Sequence, residues 1–200
     1  MKKFVSLFAG MAMLLLILNI PVFGSDTDRV MMIVRCPEQN FSTACQPQFT
    51  YDYTPDGGIW IQLDDASGGG GVSIFKTDAP GADFAAETYF ENAFLDLLSR
   101  SYGDNLIDIG EYTIYPFAGK ELPGRMALYE SNGETYMRFC LYDLEEDYFV
   151  RYEAFSVFDE TYAQNAVDVM SDAIRYFQPD PEYYSSSKPV PQKKGFFGGA

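Results

Sequence analysis

The stretch RMALYESNGETYMRFCLYDLEEDYFVRYEAFSVF, Arg125 to Phe158, decides the fold. Arg125 to Ser131 and Glu134 to Asp143 are strand-like runs joined by Asn132-Gly133. Asn-Gly tolerates the positive φ angles that a two-residue hairpin turn requires. Leu144-Glu145-Glu146-Asp147 makes a second turn, and Tyr148 to Phe158 returns. The three runs read as an antiparallel meander. Alternation places Met137, Phe139 and Leu141 on one face of the sheet and Tyr136, Arg138, Cys140 and Tyr142 on the other. Both faces are largely non-polar, as in a sheet covered on both sides by helices.

Two helical patterns flank the meander. In Phe84 to Ser101, the residues Ala86, Phe90, Ala93, Phe94, Leu97 and Leu98 form one apolar stripe. Asp83 suits its start and Gly103 its end. In Glu160 to Phe177, the stripe is Ala163, Ala166, Val167, Met170, Ala173, Ile174 and Phe177. Asp159 is the expected N-cap and Pro179 the stop. Val30 to Val34, Phe49 to Tyr53, Ile59 to Leu63 and Val72 to Phe75 read as earlier strands, with a turn at Pro55-Asp56-Gly57-Gly58. Asn105 to Ile109 and Tyr112 to Pro116 read as two short ones. The expected class is α+β: an antiparallel sheet with a C-terminal three-strand meander, flanked by two amphipathic helices.

This order of elements resembles the PsbP-like fold, carried mainly by the meander and closing helix from Arg125 to Phe177, within a span of roughly Val30 to Pro179. The resemblance implies an αβα sandwich, shared by a photosystem II extrinsic protein, a nuclear Ran-binding protein and several bacterial envelope proteins and lipoproteins. It also implies an accessory or assembly role in place of catalysis. A cystatin-like or other helix-on-sheet fold fits some of the same elements.

The N-terminus supplies an address. Lys2-Lys3 precedes an apolar run from Phe4 to Ile20, broken by Pro21. This reads as a signal peptide, 1–24, cleaved after Gly24. A retained membrane anchor is the rival reading, but the run is shorter than the roughly 20 residues a spanning helix needs. No Cys lies near the cleavage point for lipidation. One domain, 25–179, follows. Residues 180–200, rich in Pro, Ser, Lys and Gly, read as a disordered tail. Lys193 to Ala200 is the only place where the mature chain is expected to touch a membrane.

The mature chain holds 29 acids against 12 bases. Such a surface disfavours nucleic acid and anionic lipid. Histidine is absent. Serine–histidine and cysteine–histidine catalysis and histidine-based zinc sites are therefore excluded. Of the three cysteines, Cys36 and Cys45 flank a polar loop, Pro37 to Ala44, that a disulfide could close. A Cys36–Cys140 pairing is also open, and Cys140 otherwise reads as a core residue within a strand. Asn40-Phe41-Ser42 matches a glycosylation sequon.

The remaining constellations weigh toward structure. Gly68 to Gly71 lacks the Lys-Ser/Thr pair of a phosphate loop and reads as a flexible connection. Asp64-Asp65 and the group Asp143, Glu145, Glu146 and Asp147 carry oxygen ligands, but without EF-hand spacing. Solvated turn acids describe them better. Tyr148, Tyr152, Phe155 and Phe158, with Tyr112 and Tyr115, are a candidate aromatic binding surface, although strands favour aromatics in their core. The expected function is an exported, non-catalytic accessory or binding protein of the cell envelope, with a protein partner and no cofactor. A carboxylate-based hydrolase and a weak divalent-cation binder are the alternatives.

Overall fold

The computed structural model describes residues 30–63, 70–78 and 86–179. The expected signal peptide 1–24 and tail 180–200 lie outside the described residues, as do Asp64, Asp65, Gly68, Gly69 and Asp83.

The chain opens with β1 (Met32–Cys36), β2 (Phe41–Cys45), β3 (Phe49–Tyr53), β4 (Ile59–Leu63) and β5 (Gly71–Asp78). Helix α1 (Ala86–Tyr102) and a 3-10 turn (Gly103–Asn105) lead into β6 (Leu106–Ile109) and β7 (Thr113–Phe117). Then come β8 (Lys120–Ser131), β9 (Glu134–Leu144), β10 (Tyr148–Val157), helix α2 (Glu160–Arg175) and the short β11 (Gln178–Pro179). The large sheet runs β3-β4-β5-β10-β9-β8-β6, with β7 also paired to β8. A smaller sheet runs β1-β2-β11.

Consecutive pairing of β8, β9 and β10 begins at the Asn-Gly turn. Asn132 and Gly133 have φ of 52° and 81°, as a type I′ turn demands, and Ser131 lies opposite Glu134. Side-chain alternation then sorts the strand residues between two cores. Met137, Phe139, Leu141, Val150, Tyr152 and Ala154 pack with Ala163, Ala166, Val167 and Met170 of α2. Cys140, Tyr142 and Phe149 pack with Phe94 and Leu98 of α1. Each helix thus covers one face, and each fully buried large side chain contributes about 1.5–3 kcal/mol. Helix α2 starts where its cap allows: the Thr161 N–H donates to the Asp159 carboxylate at 2.9 Å, satisfying one orphan donor of the first turn. It ends at Arg175, before Pro179, which instead joins β11 opposite Phe41.

The small sheet lies against the C-terminal half of α2, where Val169 through Ile174 are all buried. Every residue of β2 is buried. The Thr43 hydroxyl donates to the Ala173 carbonyl at 2.7 Å, and Phe41 stacks on Phe177 at 5.2 Å. The loop expected from Pro37 to Ala44 is therefore a tight turn followed by a buried strand.

This geometry corrects the expected Cys36–Cys45 bridge. Cys36 lies opposite Phe41 and Cys45 opposite Met32, so the two stand at opposite ends of one hairpin. Four residue steps along a strand are about 13 Å, whereas a disulfide joins Cα atoms within about 7 Å. All three cysteines are free and buried. The Cys36 thiol donates to the Gly57 carbonyl at 3.0 Å.

Candidate interaction surface

The aromatic crowd of β10 is mostly structural. Tyr152 is fully buried, while Tyr148, Phe155, Phe158, Tyr112 and Tyr115 are half-buried. Among the described residues the exposed aromatics lie elsewhere, on the hairpin of β3 and β4. Tyr51, Tyr53 and Trp60 are 41%, 42% and 41% exposed.

That hairpin is set by its turn. The Thr54 N–H donates to Gly58 O at 3.0 Å and the Gly57 N–H donates to Thr54 O at 3.0 Å. Gly57 holds φ at 86°, a conformation suited to glycine. The Gly58 N–H also donates to Thr54 Oγ1 at 2.8 Å. Thr54 and Gly58 therefore form a hydrogen-bonded pair, and antiparallel alternation fixes the rest. Thr50 and Asp52 bond to Gln62 and Trp60, while Phe49, Tyr51 and Tyr53 turn their backbone groups away from β4.

Strand β3 ends the large sheet, so those groups face its outer edge. Two have partners. The Phe49 N–H donates to Gln46 O at 3.1 Å. The Tyr53 N–H donates to the carboxylate of Asp52 at 2.8 Å. Among the described residues, the N–H and C=O of Tyr51 form the open part of the edge.

The side chains sort onto both faces of this edge. Tyr51 and Tyr53 share the face of Ile61 and Ile59, with their rings edge-to-face at 6.4 Å. The Tyr53 hydroxyl donates to Arg35 O at 3.1 Å, tying β3 to the small sheet. Burial, and then the neighbouring Tyr51, Cys36 and Asp52, push the Tyr53 phenol upward. On the opposite face Trp60 lies beside Asp52 and meets Phe155 edge-on at 4.9 Å. From Gln46 to Phe75 the sequence holds four aspartates, at 52, 56, 64 and 65, and no Lys or Arg.

The other candidates are committed to the fold. Asp143 is buried and accepts a charge-assisted bond from Lys120 Nζ at 2.6 Å, with Glu145 at 3.2 Å. Burial lowers the Lys120 ammonium pKa, but the bonds and charges of Asp143 and Glu145 outweigh it and leave it raised. Glu146 and Asp147 are exposed. Among the described residues no group of three or more His, Cys, Asp or Glu side chains converges to hold a metal. Of the glycine run, Gly71 belongs to β5. Gly70 lies so close to α2 that a Cβ would stand 2.3 Å from Tyr162 O. That explains a glycine there by packing.

Periodicity did not reveal a buried ionic cluster on the α1 face. Glu153, 1% exposed, meets Arg138 at 2.8 Å and Arg151 at 2.9 Å. Arg138 also donates to Tyr102 Oη on α1 at 3.1 Å, and the Arg151 guanidinium lies over Phe75 at 4.6 Å. Cys140, in the same layer, is held protonated by burial. The cluster joins β9, β10 and α1 and serves packing.

No protein-family model and no curated protein matches the sequence. Solved structures do show similar folds. A Bacteroides thetaiotaomicron protein matches 76% of this chain at TM-score 0.51 and 10% identity. This chain spans 49%, about half, of that protein's length. Cyanobacterial PsbP from Synechocystis matches 80% of this chain and 98% of its own, at TM-score 0.48 and 6% identity. LpqN of Mycobacterium tuberculosis, involved in cell envelope biogenesis, matches 74% of this chain and 84% of its own, at TM-score 0.45 and 13% identity. At 13% identity or less, these likenesses are of fold alone.

Proposed function

We propose that this chain is an exported, non-catalytic binding protein of the cell envelope. In this reading residues 1–24 are removed, 25–179 form one helix-sheet-helix domain, and a protein partner docks on the β3–β4 hairpin. The observation that carries it is the exposure on the β3–β4 hairpin of Tyr51 and Tyr53 on one face and Trp60 on the other. Large aromatics left in water at this density suit recognition, because they bury much area at small entropic cost. Two of the buried acids, Asp143 and Glu153, are engaged by Lys120 and Arg138.

The test is site-specific photo-crosslinking in intact cells. A crosslinker at position 60 is expected to yield one discrete adduct, and one at exposed Asp104 none. N-terminal sequencing of the exported chain is expected to begin at Ser25. Failure of position 60 to crosslink in a chain that is exported and folded would sink the proposed role.

A further inference from the structure

We propose that β3 takes up an extended, Lys- or Arg-bearing segment of the partner as an added edge strand. This deepens the binding role above and rests on it.

Three observations converge on that occupant. The backbone N–H and C=O of Tyr51 face away from β4, at the outer limit of the sheet. An added strand satisfies such a pair with two hydrogen bonds to one opposing residue. Thr50 through Tyr53 are all exposed, so among the described residues no element covers the strand there.

The second observation is charge. The β3–β4 hairpin itself, 49–63, holds Asp52 in the strand and Asp56 in its turn and no Lys or Arg, and the Tyr53 hydroxyl meets Arg35 at its backbone carbonyl. The third is aromatic. Trp60 lies next to Asp52 on one face, and Tyr51 and Tyr53 occupy the other. Aromatic faces attract ammonium and guanidinium groups.

The register follows from the pleat. The partner residue that exchanges hydrogen bonds with Tyr51 projects on the tyrosine face. Its chain neighbour, opposite Asp52, projects on the Trp60 face. A Lys or Arg at that neighbour meets a carboxylate and an indole together. Asp52 already holds the Tyr53 N–H and Gln46 O the Phe49 N–H, which shortens the available ladder to the Tyr51 pair and the Phe49 and Tyr53 carbonyls. The added strand is therefore short, and the cation decides its affinity.

Trp60 is the only tryptophan in the chain, so its fluorescence reports on the site directly. The probe is a synthetic eight-residue peptide alternating Lys and Val, titrated into the exported protein. A control peptide carries Ser for every Lys. The expected result is a saturable change in Trp60 emission with the lysine peptide. The control is expected to bind at least about tenfold more weakly, and rising salt to weaken the lysine peptide alone.

The ladder is tested separately. Tyr51→Thr keeps the outward N–H, whereas Tyr51→Pro removes it at an edge position that tolerates proline. Weaker binding to Y51P than to Y51T is expected. Should Y51P fail to fold, a lysine peptide N-methylated on alternate residues, used with the unaltered protein, is expected to lose binding in its place.

Equal binding of the lysine and serine peptides overturns the proposal, as does equal binding by Y51P and Y51T. A salt-dependent shift of Trp60 emission without peptide would put the chain's own basic tail on the edge and also overturn it. So would a dimer that Tyr51→Pro dissociates. Crosslinking at position 60 in cells without any peptide response would leave the binding role standing and remove only the added strand.

Discussion

Thiol chemistry gives the sharpest check on the hairpin of β1 and β2. Cys36 and Cys45 are fully buried, and burial pushes each thiol from the usual 9.0 up to about 11. Only the thiolate attacks an aromatic disulfide reagent. At pH 8 a thiol at 9.0 is ionised in about one molecule in ten, and one at 11 in about one in a thousand. Ionisation alone therefore slows reaction about a hundredfold, and access through a packed core slows it further. Cys140 is also fully buried, with its thiol pushed still higher. The assay is reagent uptake by native protein at pH 8, repeated in denaturant without reductant. Native protein is expected to react at no more than about a hundredth of the rate of a free model thiol. Denatured protein is expected to release three equivalents. A single equivalent in denaturant would mean that two of the cysteines are bridged, and would refute a fold in which all three thiols are free. Rapid native reaction of two thiols would refute their burial.

The same two thiols set a pH dependence. Their folded pKa is raised, so the folded state holds these protons more tightly than the unfolded chain. The stabilising contribution is full below pH 9 and is lost as pH rises through about 11. It is on the order of 2–3 kcal/mol per thiol, read as a falling urea midpoint across that window. Glu153→Ala leaves Arg138 and Arg151, 19% and 23% exposed, without their shared carboxylate. Loss of one buried partner costs about 3–5 kcal/mol, so the melting temperature is expected to fall by roughly 6–20 °C. A fall of less than 3 °C, roughly 1 kcal/mol, would show that the cluster is solvated. Gly124→Ala places a Cβ 2.4 Å from Cys140 O and 2.6 Å from Leu141 Cδ2, between two paired strands. The expected loss is about 1–3 kcal/mol by calorimetry, and an unchanged melting curve would contradict the strand register there.

What the sequence discloses is local. The Asn132-Gly133 turn, the alternation of β9 and the stripe of α2 each sit within a dozen or so residues, and each reads directly. Strand β2 does not. Phe41-Ser42-Thr43-Ala44-Cys45 shows no clean alternation because it is buried throughout. The hydroxyl of Thr43 is acceptable there only because the Ala173 carbonyl receives its bond, 130 residues further along. The cluster around Glu153 is hidden for the same reason. Its two arginines come from neighbouring strands, and Tyr102, which completes it, comes from a helix across the sheet. The candidate surface fails to show for a related cause. Tyr51 and Trp60 lie in strands that are plain in the sequence, but their exposure depends on β3 being last in the sheet. That order is fixed where β5 pairs with β10, Val72 opposite Ala154, a contact no local pattern records.

An open sheet edge is a hazard as well as an opportunity, and the residues of β3 bear on which it is. Two copies of a chain with net charge −15 repel each other. Antiparallel pairing of two β3 edges across Tyr51 would bring the two Asp52 side chains into neighbouring positions on one face, where like charges oppose pairing. Asp52 also occupies the Tyr53 N–H, removing one donor that a second copy would use. Charge on an edge strand and a shortened ladder are the devices that keep such edges from self-association. Neither device excludes a cationic strand. The carboxylate that repels a second copy attracts a lysine at the same register, and Trp60 beside it adds a face for the same cation. The edge thus discriminates by charge between pairing with itself and pairing with a basic segment. Asp52→Asn should therefore weaken the lysine peptide and strengthen self-association together. A variant that loses the peptide without any gain in dimer by sedimentation would break that link.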